Sequence, residues 1–251
     1  MHLKHLYEAQ QLQRPLLEEL FLKANELRAN PQQTLKGKIL CSLFYEPSTR
    51  TRLSFESAML RLGGSYIGTE NAREFSSAVK GESLEDTIRV VDGYSDCIVL
   101  RHHEEGAARI AANFSDVPII NAGDGKGQHP TQALLDLYTV QREFGRIDGL
   151  HFAFVGDLAA GRTAASLAYL LKEFKDINIT FVSPENLKMK EGVKDHLRRH
   201  NVRFREETNL DNVLKCTDVI YLTRIQKERL SSEDIEKAKD HYVLTGDKFQ
   251  H

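Results

Sequence analysis

Residues 38–62, KILCSLFYEPSTRTRLSFESAMLRL, decide the fold. The opening run, KILCSLFY at 38–45, is apolar nearly throughout rather than alternating. That pattern suits a strand of a parallel sheet with helices on both faces. Pro47 stops the strand, since proline cannot donate to a ladder. Ser48-Thr49-Arg50-Thr51-Arg52 then open a helix predicted over 51–62.

The same alternation repeats outward through the 251 residues. Further strands are predicted at 65–69, 97–102, 118–122, 151–157, 177–183, 202–207, 218–224 and 242–246. Helices are predicted at 14–29, 83–94, 105–114, 130–144, 161–174, 188–200, 209–215 and 231–240. After the helix TQALLDLYTVQREFG and the turn RIDGLH, a fresh βαβ series begins. The expected fold is therefore α/β, with two doubly wound parallel-sheet domains, 1–144 and 145–251, and an active site in the cleft between them.

Composition narrows the class. The chain is 41% hydrophobic and 28% charged, ordinary for a globular protein, and its net charge of −2 offers no overall field for nucleic acid or an anionic membrane. Neither is expected as a partner. No apolar run approaches membrane-spanning length, and the N-terminus lacks the continuous apolar segment of a signal peptide. Cys41, Cys97 and Cys216 are odd in number and form no C-x-x-C pair. A disulfide framework or zinc site is not expected, and a reducing cytoplasm fits. Cys41 and Cys97, in apolar runs, read as small buried hydrophobes.

Anion binding must then come from local cations. Hydroxyls, free N–H groups and two arginines at the start of a helix make a phosphate site of residues 48–52. The segment is not a Walker loop, because G-K-[ST] and the spaced glycines are absent. Arg101 ends the strand CIVLRH at the same sheet edge. His102 and His103 follow it, but neighbours on a strand face opposite ways, so both read as structural or solvent-facing. The strand at 118–122 leads into GDGKGQHPTQ, where glycines let backbone approach a ligand and Pro130 takes the favoured first helical position. His129 and Gln132 thereby join the edge, His129 as an oxyanion donor. In the second domain, GDLAAGR lacks the G-x-G-x-x-G spacing of a dinucleotide turn. Arg162 at the helix start, with Arg224 and Gln226 in TRIQ, describes a dicarboxylate site.

These segments, FYEPSTRTRLSFE, VLRHHEEGAAR, NAGDGKGQHPTQALLDLYT, GDLAAGRT and YLTRIQKER, resemble the aspartate/ornithine carbamoyltransferase family in order along nearly the whole chain. They are closer to its aspartate branch, since the S-M-G acceptor loop of ornithine enzymes is absent. The resemblance implies that Ser48, Thr49, Arg50 and Thr51 hold the phosphate of carbamoyl phosphate. It implies that Thr51, Arg101 and His129 polarise the carbonyl, that Gln132 binds the carbamoyl NH₂, and that Arg162, Arg224 and Gln226 hold L-aspartate. REFSSAVKGES at 73–83 matches the family's mobile loop, so Ser76 and Lys80 are expected to reach a neighbouring subunit's site in a homotrimer. Separate regulatory chains are left open, and no cofactor or metal is implied. Two other readings stand beside this one: a ligand-binding subunit without turnover, and a transferase using ornithine. Family members also continue past LTGDKFQH with an H-P-L-P segment and a helix that packs on the first domain. Without them, exposed apolar surface, reduced stability and weak or no activity are expected.

Overall fold

The computed structural model describes residues 3–75, 80–223 and 245, which divide into two compact units, Met1–Leu134 and Leu135–His251. The division falls within a helix, ten residues before the expected boundary at 144/145. Part of the reason is a hydrogen bond from the Tyr221 hydroxyl to Asp136 (2.9 Å), which ties that helix past Leu134 to the second unit.

The first unit carries α1 (Arg14–Ala29), β1 (Ile39–Phe44), α2 (Thr49–Arg61), β2 (Ser65–Thr69) and the short α3 (Ala72–Phe75). After these come α4 (Leu84–Asp92), β3 (Cys97–His102), α5 (Ala107–Asn113), β4 (Ile119–Asp124) and α6 (Pro130–Phe144), which crosses the division. The sheet is wholly parallel, in the order β2-β1-β3-β4. A bridge from Leu6 to Ile120 adds the N-terminal segment beside β4. Cys41, Leu43, Ile98, Leu100 and Ile119 pack with Ile88 of α4 and Ala108 and Ala111 of α5. On the other face Leu40, Phe44, Val99 and Ala122 pack with Met59 and Phe55 of α2. The period of two sends alternate residues of each strand to opposite faces, so β1 and the first four residues of β3 are apolar at nearly every position. Burial pushes the Cys41 thiol up to about 11, and Cys97 likewise, as expected of cysteines acting as small hydrophobes.

The second unit carries β5 (His151–Val155), α7 (Arg162–Leu171), β6 (Asn178–Val182), α8 (Glu191–Arg199), β7 (Arg203–Glu207), α9 (Asp211–Leu214) and β8 (Val219–Leu222). Its sheet is again parallel, in the order β7-β6-β5-β8. Ala153, Val155 and Val182 pack with Leu210 and Val213 on one face. On the other, Phe154 meets Phe181 and Tyr221 at 5.7 and 5.5 Å between ring centroids, and Arg198 of α8 covers Phe204. Fully burying each of Phe152, Phe154 and Phe181 contributes about 1.5–3 kcal/mol.

The expected class, two doubly wound parallel sheets, is the one observed. The predicted spans 14–29, 65–69, 97–102 and 130–144 coincide with α1, β2, β3 and α6. The predicted strand at 242–246 and helix at 231–240 lie outside the described residues, Thr245 excepted. No helix among the described residues is long and apolar enough to cross a membrane.

Candidate active site

In the first sheet the chain steps from β1 outward to β2, then crosses back over β1 to place β3 on its other side. The loops leaving the carboxyl ends of β1 and β3 therefore part company, and such a switch point is where open α/β sheets take ligands. The two strands stay joined up to that point, since Tyr45 N–H donates to the Arg101 carbonyl at 2.8 Å.

The loop after β1 places Ser48 as the N-cap of α2, in a non-helical conformation (φ −159°, ψ 81°), with no bond from its side chain to the helix. The first-turn N–H groups of a helix have no intrahelical acceptor, so this helix start offers open donors next to the switch point. Thr49 and Arg50 are exposed and Thr51 is half-buried. The structure separates the two arginines that the sequence grouped. Arg50 has no carboxylate partner among the described residues. Arg52 is committed to Glu56 (3.3 Å) and Glu70 (3.0 Å), so its charge is already balanced within the fold.

Arg101, its side chain 15% exposed, donates from Nη1 to the Ala122 carbonyl at 3.3 Å and holds Nε 3.5 Å from the Glu46 carboxylate. Glu46 was not singled out from the sequence; its place between a strand end and Pro47 was the available signal. His129 is 5% exposed and immediately precedes α6. Its Nδ1 lies 3.4 Å from the Gln132 N–H and 3.3 Å from the Thr131 hydroxyl. Accepting there places the ring proton on Nε2, which makes that nitrogen a donor. Gln132, half-buried, lies in the first turn of α6. Ser48, Thr49, Arg50, Thr51, Arg101, His129 and Gln132 thus all stand at the carboxyl edge of the first sheet, on segments following β1, β3 and β4.

The two histidines after Arg101 do not face opposite ways as neighbours on a regular strand would. Pairing of β3 with β4 shifts register between Leu100 and His102, and the chain bends after His102. The His102 and His103 rings consequently stack at 4.3 Å, with Tyr45 4.5 Å from His102. His102 is 5% exposed, and its Nδ1 accepts the Glu104 N–H at 3.0 Å. Burial, and then the neighbouring His103, holds its pKa down to about 4, so it is neutral.

The second unit repeats the topology: β6 and β7 lie to one side of β5 and β8 to the other, placing the switch point between β5 and β8. Gly156 turns the chain there with φ +116°, and a Cβ on it would sit 2.5 Å from the Thr223 carbonyl. Gly161 has an ordinary φ of −73°, but a Cβ there would meet the Asp157 carbonyl at 2.8 Å. The two glycines admit a tight loop, and Arg162 emerges from it as the first residue of α7, half-buried. Thr223, ahead of Arg224, donates its N–H to the Val155 carbonyl at 2.8 Å. Arg224, Gln226 and Ser76 lie outside the described residues. Lys80 is exposed in the turn before α4.

Comparison with known proteins agrees with this architecture. Residues 4–142 match the model of the aspartate/ornithine carbamoyltransferase carbamoyl-P binding domain, and residues 148–251 match that of the Asp/Orn binding domain. The chain is 57% identical over 249 residues to aspartate carbamoyltransferase 3, chloroplastic, of Pisum sativum, covering 96% of this chain and spanning 64% of that protein's length. It superposes on the catalytic subunit of aspartate transcarbamoylase from Methanocaldococcus jannaschii with a TM-score of 0.91 at 49% identity, over 99% of this chain and 83% of that one. For aspartate transcarbamoylase from Trypanosoma cruzi, solved in complex with carbamoyl phosphate and aspartate, the TM-score is 0.87 at 36% identity, over 98% and 79% of the two chains. With both domain models matched in order and identities well above those of fold likeness alone, the chain belongs to the aspartate/ornithine carbamoyltransferase family.

Proposed function

We propose that this chain transfers the carbamoyl group of carbamoyl phosphate to the α-amine of L-aspartate, giving N-carbamoyl-L-aspartate and phosphate. The observation that carries it is the switch point of the first unit, where an open helix N-terminus with Ser48, Thr49, Arg50 and Thr51 shares one sheet edge with Arg101 and His129. Ser48, Thr49 and Arg50 hold the phosphate by N–H groups, hydroxyls and charge. The uncharged amine attacks the carbonyl carbon, and negative charge builds on the carbonyl oxygen. Thr51, Arg101 and the Nε2–H of His129 take up that charge, pre-oriented donors being worth about 10²–10³ in rate each. Gln132 accepts from the carbamoyl NH₂. The C–O bond to phosphate breaks, and the leaving phosphate takes the amine proton. Arg162, Arg224 and Gln226 bind the two carboxylates of aspartate. A cationic acceptor such as ornithine is repelled by the same arginines.

The test measures ureido product from carbamoyl phosphate with aspartate or with ornithine, alongside calorimetric binding of carbamoyl phosphate. Product with aspartate alone is expected. Product with ornithine instead overturns the acceptor, and binding without product in either case favours a ligand-binding subunit. Failure to bind carbamoyl phosphate sinks the proposal.

We further propose a homotrimer in which Ser76 and Lys80 complete a neighbour's site. A solution mass three times 28.5 kDa is expected, and mixing Lys80→Ala with Arg101→Ala chains should restore activity that each lacks alone. A monomeric mass, or no recovery, refutes the shared site. The unpaired cysteines favour the cytoplasm as compartment, although the pea relative is chloroplastic; cell fractionation decides between them.

A further inference from the structure

Two of the three carbonyl-polarising residues, Arg101 and His129, adjoin loops that must keep a fixed spacing. Arg101 leads into the turn between β3 and α5, and His129 ends the loop between β4 and α6. One buried side chain holds both loops. The Asp124 carboxylate, 5% exposed, accepts the Gly106 N–H at 2.9 Å on Oδ2. On Oδ1 it accepts the Gln128 N–H at 2.9 Å and the Asn121 side-chain amide at 3.1 Å. Gly106 closes the turn that Arg101 begins, and Gln128 is the residue before His129.

The surrounding backbone is shaped to this carboxylate. Gly125 N–H donates to the His102 carbonyl at 2.9 Å, tying the second loop to the residue after Arg101. Gly125 has φ +47°, and a Cβ there would lie 2.6 Å from the His103 carbonyl. A Cβ on Gly127 would lie 2.7 Å from Asp124 Oδ1 itself. Asn121, fully buried, is oriented by donating to the Tyr7 carbonyl at 2.8 Å and accepting the Gly123 N–H at 2.7 Å. Each of these three partners is an N–H donor, and they approach both oxygens. Only a carboxylate offers acceptors on both sides; an amide would turn an NH₂ towards one of the donors.

We propose that Asp124 is a positioning residue for carbamoyl transfer, clamping the Arg101 and His129 loops so that both donors converge on the carbonyl oxygen. The proposal rests on the function given above. It assigns Asp124 no contact with substrate.

The test compares Asp124→Asn in the full chain with Leu17→Ala, a control that opens a cavity at a fully buried leucine of α1. Three quantities are read: melting temperature, kcat and KM for aspartate, and the infrared carbonyl stretch of bound ¹³C-labelled carbamoyl phosphate. In the unaltered chain the donors should lower the stretch relative to free carbamoyl phosphate. In Asp124→Asn the bound stretch should return towards the free value, and kcat should fall about 10²-fold, the cost of a misplacement near 1 Å, with KM for aspartate unchanged. Leu17→Ala should melt lower while keeping both the stretch and kcat. If Asp124→Asn behaves as Leu17→Ala does, the role is structural and the proposal is overturned. If the chain binds but turns over too slowly for kcat, the stretch alone decides. If the unaltered chain itself binds without lowering the stretch, or does not bind, the function proposed above fails and takes this one with it. Should Asp124→Asn not fold, Asp124→Ser, which keeps a single acceptor oxygen, is measured in its place.

Discussion

Arg50 and Arg52 stand two residues apart in one helical turn, yet the structure gives them different work. Arg50 is exposed at the open helix N-terminus, without a carboxylate partner among the described residues. Arg52 balances Glu56, whose side chain is 5% exposed, and Glu70. Removing Arg52 leaves a buried carboxylate without its cation, costing roughly 1–3 kcal/mol. Arg52→Ala is therefore expected to lower the urea midpoint while leaving carbamoyl-phosphate affinity near that of the unaltered chain. Arg50→Ala should do the reverse, weakening binding by calorimetry with little change in stability. Equal effects of the two on affinity would show that the two arginines do not divide the work in this way. Sequence alone marked both as cations of one cluster, because residue type and spacing carry charge but not the partner that consumes it. Glu70 is eighteen residues from Arg52 and on the far side of β2.

At the scale of elements, glycine placement in the turn from β5 to α7 is the sharpest case. Gly156 and Gly161 were legible as a tight turn, but their demands differ. Gly156 needs both a positive φ and room beside the Thr223 carbonyl, whereas Gly161 needs only room. Gly156→Ala combines strained backbone with a clash against Thr223, the residue after β8, so a loss of roughly 1–3 kcal/mol is expected in urea unfolding. The same substitution should displace the loop that carries Arg162 and raise KM for aspartate; a variant as stable as the parent would contradict the geometry. Strand and helix positions were otherwise readable from periodicity because doubly buried strands leave continuous apolar runs. The short α3 and the stacking of His102 on His103 were not. The stack arises from a register shift between β3 and β4, which no local pattern announces.

Across the whole molecule, His102 in the first unit and His196 in the second are buried histidines whose pKa is held down by their surroundings. Burial lowers the pKa of His102 to about 4 in the first unit and of His196 to about 4 in the second, with His103 and His200 adding to it. Unfolding frees both to titrate near their ordinary value of 6.5. Between those values the unfolded chain binds more protons than the folded one, so stability rises with pH across that window. The contribution is present above pH 6.5 and is lost as pH falls through about 4. His102→Asn keeps an acceptor for the Glu104 N–H but cannot be protonated. It should reduce the slope of unfolding free energy against pH by roughly one proton between pH 4 and 6.5. An unchanged slope in urea titrations would show that His102 is not held neutral.

The chain's own order of apolar strands, helix starts and glycines determined the α/β class, two parallel-sheet units and most of the candidate residues. These are local properties: burial on two faces, hydroxyls at a helix start, proline at a first helical position. The strand orders β2-β1-β3-β4 and β7-β6-β5-β8 were decided only by tertiary structure, because crossovers are long-range choices that periodicity does not encode. Those orders create the two switch points and so bring Ser48–Thr51, Arg101 and His129 to one sheet edge. The division at Leu134 and the clamp of Asp124 on two loops were likewise settled by packing, since each depends on contacts between residues far apart in the chain.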